Sequence, residues 1–135
     1  MKNKPYHLLY GSFFCLLAVI LGAFGAHALK AVLEPEQLQS FETGVRYQFF
    51  HGLFLVMLAL KGHSFHLRHE RTIATLMGLG IVLFSFSIYF LNLQDTLGLS
   101  LGWLGPVTPI GGTLLIAGWG VLTYDAFSLV KLNEE

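Results

Sequence analysis

Charge is what this chain has least of. Asp, Glu, Lys and Arg make up 12% of its 135 residues, about half the share found in soluble globular domains. Eight basic and eight acidic side chains cancel, which excludes the basic stripe of a nucleic-acid-binding surface. Cysteine is nearly absent. Cys15 stands alone, so there is no internal disulfide, no Cys-rich zinc site and no Cys-x-x-Cys redox pair. The chain also lacks a phosphate-binding glycine loop, a nucleophile elbow and a His-Glu-x-x-His run, and with them the usual sequence basis for nucleotide binding or hydrolysis. Internal repeats and low-complexity tracts are missing as well.

What the chain has in excess is apolar surface. Hydrophobic residues are 54% of the total and the mean hydropathy is +0.63, more than a 15.0 kDa soluble fold can hide. The pattern predicts an all-α membrane protein with a single four-helix transmembrane domain, its helices at about 8–29, 35–61, 72–91 and 109–130. Crossing the hydrocarbon core takes about 20 helical residues. The second apolar run, Val45 to Leu60, is short by that measure. Pro35 fits the first turn of a helix, where its missing N–H costs nothing, and Leu38, Phe41 and Val45 recur on one face. Helix two is therefore extended on the outer side, with Gly44 as the place for a kink.

Basic residues set the orientation. Lys2 and Lys4 precede helix one, Lys61, Arg68 and Arg71 surround the second loop, and Lys131 follows helix four, whereas the other two loops hold only Lys30. The positive-inside rule then predicts an N-in/C-in topology, with both termini and the second loop in the cytoplasm. Lys2, Lys4 and Ala26-His27-Ala28 imitate a signal peptide, but the apolar run between them exceeds the roughly 7–15 residues of such a segment. The segment from Asn92 to Thr108 carries one charge, Asp95, with five scattered Gly and Pro residues up to Pro109. It predicts an interfacial loop anchored by Trp103, with a re-entrant segment as the alternative.

Polar groups within spans are costly and mark the places to search for function. Helix two holds nearly all of them: Glu42, Arg46, Tyr47, Gln48 and His51. Glu42 precedes Arg46 by one turn, the favourable order for an ion pair. Gly44, Gln48 and His51 fall together on another flank. His51 lies about 9 Å below Val45 and needs a partner, with Tyr47 one turn before it. His27 ends helix one, where Gly22 and Ala26 form a small-xxx-small pair suited to close helix approach. Gly78, Ser85 and Tyr89 share a face of helix three. Thr108 and Pro109 read as N-cap and first residue of helix four, whose free N–H groups could meet Glu42. Asp125 has Lys131 as a candidate partner. Candidate ligand-binding residues are thus His27, Glu42, Arg46, Tyr47, Gln48 and His51, with no catalytic set, no metal site and no cofactor implied. A haem between His27 and His51 is disfavoured by their different depths. His63, His66 and His69 lack the fixed acid or thiol that would complete a metal site.

Three runs carry a family likeness: Gly22-Ala-Phe-Gly-Ala-His27-Ala-Leu, Glu42-Thr-Gly-Val-Arg46-Tyr47-Gln48-Phe-Phe-His51, and Thr108-Pro-Ile-Gly-Gly112 with Gly118-Trp119. In this order they resemble the YgdD/YwdK-like family of small bacterial inner-membrane proteins, a domain of unknown function with eukaryotic relatives. The resemblance spans essentially the whole chain and implies four spans but no activity. Phe86 stands where that family usually has glycine, which implies a less intimate helix contact there, and Leu115 stands where relatives often carry phenylalanine. The sequence leaves three readings. The first is a non-enzymatic, homo-oligomeric binding or assembly module, in contact with membrane lipid, that holds a lipid or a small apolar or anionic ligand near the outer leaflet. The second is a small oligomeric transporter or channel for protons or a small solute. The third is an intramembrane enzyme with His51 as base, for which no neighbouring nucleophile is evident.

Overall fold

In the computed structural model, which describes residues 4–62, 64 and 66–134, every regular element is helical. Lys2 and His63 lie outside the described residues. Helix α1 spans Lys4–His27 and is followed by a single 3-10 turn, Leu29–Ala31. Helix α2 spans Pro35–Leu60. The third span begins with α3, Glu70–Ile81, widens into a π-helical turn at Val82–Phe86, and continues as α4, Ser87–Leu93. Helix α5 spans Val107–Glu134. Four segments are long and apolar enough to cross a membrane: Tyr6–Ala31, Pro35–Leu60, Glu70–Leu93 and Gly102–Leu132.

Local chemistry explains the helix ends. Pro35 occupies the first turn of α2, and Glu34 caps it reciprocally with Gln37: the Glu34 N–H donates to Gln37 Oε1 at 3.0 Å while the Glu34 side chain accepts the Gln37 N–H. Gly62 follows the helix with a φ of 62°, a left-handed conformation that glycine adopts at no steric cost. Between α4 and α5 the chain folds over Gln94, whose carbonyl accepts the Leu99 N–H at 2.8 Å and whose Oε1 accepts the Leu101 N–H at 2.9 Å. Leu97, Leu99 and Trp103 stay exposed on this loop. Thr108 does not cap α5, which already begins at Val107. Its hydroxyl instead bonds Ser87 Oγ at 2.7 Å and ties α5 to α4.

Two apolar clusters hold the spans together. The larger joins Phe14, Leu55, Leu58, Ile73, Met77, Ile81 and Leu115 from all four spans. The smaller joins Leu33, Phe41 and Tyr89. Phe86 packs against both, with its ring edge-on to Tyr89 at 5.7 Å. Outward faces of α1 and α5 are lined by exposed Leu, Ile, Phe and Val side chains, the surface that lipid solvates in a spanning protein.

Backbones meet where side chains are absent. The closest α1–α2 approach is at Gly11 and Gly52, not at the Gly22/Ala26 pair: a Cβ on Gly11 would lie 2.8 Å from the Gly52 oxygen and the Val56 nitrogen. Gly22 meets only a Val45 side chain at 3.4 Å, and Ala26 is exposed. Helix α2 runs unbroken through Gly44, where a Cβ would lie 2.8 Å from the Tyr89 ring and its absence makes room for that ring. On α5, a Cβ at Gly111 would run into the backbone of Leu83 and Phe84 in the π turn, whereas Gly120 faces open space. Gly111→Ala therefore lowers the unfolding free energy in detergent by about 1–3 kcal/mol or prevents folding. Gly120→Ala leaves it unchanged or raised, since helix propensity improves and nothing is displaced. Titration of the two variants with denaturing detergent checks this pair.

Candidate functional site

The polar face of α2 turns inward and is answered, group by group, by the other helices. Gln48 is 0% exposed. Its Nε2 donates to the Phe14 carbonyl of α1 at 2.9 Å, and its Oε1 accepts the Tyr89 hydroxyl of α4 at 2.7 Å. One turn earlier, the Gly44 carbonyl accepts Ser85 Oγ at 2.8 Å. The π turn delivers Ser85 to that carbonyl and Phe84 to Tyr47, with ring centroids 4.6 Å apart. Such turns recur at functional sites because they re-aim side chains without ending the helix.

His51 is 7% exposed and bonded at both ring nitrogens. Trp119 Nε1 of α5 donates to His51 Nε2 at 3.0 Å, and Nδ1 lies 2.7 Å from the Tyr47 carbonyl. An indole N–H only donates and a carbonyl only accepts, so this arrangement requires a neutral ring with its proton on Nδ1. Tyr47 stacks on His51 at 5.7 Å and 29°, and Trp119 meets Phe54 at 5.0 Å.

Beside this pair a groove of about 580 Å³ opens on the flank of the bundle. Tyr47, Phe50 and His51 of α2 form one wall, Phe84 its end, and Gly112, Leu115, Ile116 and Trp119 of α5 the other wall. Its size falls within the roughly 300–1,000 Å³ of small-ligand sites. Ile116 is 74% exposed and Trp119 44%, so the mouth opens on the apolar flank of the bundle rather than at either end. His51 lies about 24 Å along α2 from Pro35 and about 14 Å from Leu60, at a rise of about 1.5 Å per residue. The groove thus runs from the middle of the bundle toward the end that carries Val107.

The six candidates from the sequence do not form one constellation. Tyr47 and His51 line the groove, and Gln48 lies buried one residue away in the interhelical network. Arg46 is exposed, donates to Thr43 Oγ1 at 3.2 Å and borders a separate shallow hollow of about 250 Å³ with Val19 and Phe49. Glu42 is exposed on α2 and His27 on the last turn of α1. The Glu42–Arg46 pair permitted by spacing does not form; among the described residues Lys61 pairs with Glu70 at 2.8 Å, and His69 Nδ1 lies 2.7 Å from an Asp125 oxygen. Among the described residues no three His, Cys, Asp or Glu side chains come together as metal ligands.

Asp125 and Trp119 were not legible as site residues. Asp125 is 3% exposed and pairs with His69 instead of Lys131, whose ammonium lies 5.1 Å from the Phe127 ring centroid. Its two oxygens accept the His69 backbone N–H at 2.8 Å and meet Nδ1 at 2.7 Å, so a side chain of α5 holds the residue that precedes α3. The available signal was the acid itself within an apolar span. Nothing in local spacing points to a partner so distant in the chain.

Comparison with known proteins places this architecture among relatives. The family described as Protein of unknown function (DUF423) matches residues 21–112. The chain is 39% identical to a UPF0382 membrane protein of Haemophilus influenzae, over 98% of this chain and 100% of that one. It is 38% identical to the UPF0382 membrane protein YwdK of Bacillus subtilis, over 88% and 94%. To the UPF0382 inner membrane protein YgdD of Escherichia coli it is 32% identical, over 96% and 95%. No solved structure matches it.

Removing Gln48 strands the Tyr89 hydroxyl. Gln48→Leu costs about 1–3 kcal/mol of stability, and adding Tyr89→Phe recovers part of that loss; detergent unfolding of the two single variants and the double variant reads both effects. Asp125→Leu strands the His69 backbone N–H and costs about 1–3 kcal/mol. Asp125→Asn keeps an acceptor for the His69 N–H and loses less, which amide hydrogen exchange at residues 69–72 resolves.

Proposed function

This chain belongs to the DUF423 (UPF0382) family of small multi-pass membrane proteins, and we propose that it acts as a non-enzymatic binding module in which the α2–α5 groove holds a lipid or a small apolar ligand. One observation carries the reading. The groove is open to the membrane and walled by four aromatic rings, while its polar pair, His51 and Trp119, is already hydrogen-bonded. Such a wall binds by dispersion and ring stacking, and a ligand acceptor can compete with His51 Nε2 for the Trp119 N–H. Chemistry on a substrate would need a free base or nucleophile, and both nitrogens of His51 are engaged.

Under this reading the chain sits in the cell inner membrane, as the name of its Escherichia coli relative says of that protein. Both termini face the cytoplasm, with the Lys61, Arg68 and Arg71 loop on the same side. The groove then lies in the outer half of the bilayer down to its middle. Copies associate through the exposed faces of α1 and α5. No observation favours the transporter reading: the buried polar side chains Gln48, His51, Ser85, Ser87 and Asp125 are bonded within the bundle rather than lined up along a path.

Native mass spectrometry of protein released from nanodiscs of bacterial polar lipid tests the proposal. Wild type retains a discrete extra mass and appears as a multimer. Gly112→Leu, which projects a side chain into the groove beside Phe84, loses one ligand from the bound mass, and His51→Ala weakens its retention. An unchanged bound mass in both variants, or bare protein throughout, overturns the reading.

A further inference from the structure

A second hollow, of about 370 Å³, lies between α1 and α3. One wall is the stripe His7, Tyr10 and Phe14; the other is Thr75, Gly78, Leu79 and Val82. Each wall follows one helix for about 10 Å. The two helices enter the bundle at the same end, so the polar members His7, Tyr10 and Thr75 cluster at one extremity, and Phe14 and Val82 close the other. The floor is Leu55 and Ala74.

Charge is arranged to match. Arg71 is exposed one turn before Thr75, on the same face of α3, so it continues the wall past the polar end. The nearby acid, Glu70, is held by Lys61 at 2.8 Å and does not oppose an anion with a bare charge. Gly78 has nothing within 4 Å of the position its Cβ would take. A side chain at that position starts in open space.

We propose that this hollow is a seat for an anionic phospholipid: one acyl chain lies between the His7–Phe14 and Thr75–Val82 stripes, and the phosphate is met by Arg71 and His7. A chain with an acidic head fits a slot that is apolar along its length and basic at one end. A zwitterionic lipid fills the same slot without the ionic contact. The site is independent of the α2–α5 groove.

The test uses the full chain in nanodiscs containing equal amounts of palmitoyl-oleoyl phosphatidylglycerol and phosphatidylcholine, with retained lipid counted by native mass spectrometry. Wild type keeps one phosphatidylglycerol in about fivefold preference, the discrimination that one Arg near an anionic head supplies. Arg71→Gln, at an exposed position, brings the ratio to about one. Gly78→Leu loses that one lipid while its circular dichroism stays at the wild-type value and its unfolding midpoint is unchanged or raised. Gly112→Leu, in the other groove, leaves it bound. Equal retention of both lipids by wild type, an unchanged preference in Arg71→Gln, retention by folded Gly78→Leu, or loss in Gly112→Leu would each overturn the proposal. Should Gly78→Leu not fold, the Arg71→Gln ratio decides alone.

Discussion

The bundle depends on one buried amide. Gln48 reaches a backbone carbonyl on α1 with its nitrogen and a tyrosine on α4 with its oxygen, so a single side chain joins three spans. Surrounded by lipid, an unanswered polar group costs several kcal/mol, because no water is there to take the place of a partner. That cost turns each polar residue of α2 into a positional constraint. Gln48 sets α1 and α4, the Gly44 carbonyl sets the π turn through Ser85, and His51 sets α5 through Trp119. Apolar packing alone would allow the helices to rotate among similar arrangements; these bonds select one.

Glycine makes the bonds reachable. A hydrogen bond between neighbouring spans forms only if their axes come close, and here the approach occurs at Gly11 with Gly52, at Gly44 with Tyr89, and at Gly111 with the π turn. Small residues at interfaces and polar side chains across them are two parts of the same solution to packing in lipid. Phe86 takes part differently, since its ring fills the space between the two apolar clusters. At Gly80, the side chain of Leu115 sits where a Cβ would be, so the leucine at 115 is matched to the glycine facing it.

The four spans were readable because composition and length suffice for them. That α2 would hold costly polar groups was readable too, from Gln48 and His51 within an apolar run. Their partners were not. Tyr89, Trp119 and the Phe14 carbonyl lie on other helices, and helical periodicity gives a residue's face but not the helix it meets. The same limit explains the errors made from neighbours in sequence. Arg46 had Glu42 at the right spacing yet bonds Thr43. Asp125 had Lys131 nearby yet takes His69 from across the bundle. Thr108 had the form of a cap yet bonds Ser87. Gly22 and Ala26 had the small-residue spacing, but the close crossing falls at Gly11, where the motif has no counterpart in sequence.

His51 is where structure and proposed function meet, because the bond that orients α5 also forms a wall of the groove. The claim is that its ring is neutral, carries its proton on Nδ1 and accepts from Trp119. Nitrogen-15 NMR of histidine-labelled protein in bilayers, with His51 assigned by comparison with His51→Gln, measures this directly. The account predicts a protonated Nδ1 and an unprotonated, hydrogen-bonded Nε2 whose resonance moves in Trp119→Phe. A proton on Nε2, or a spectrum indifferent to Trp119→Phe, would contradict it.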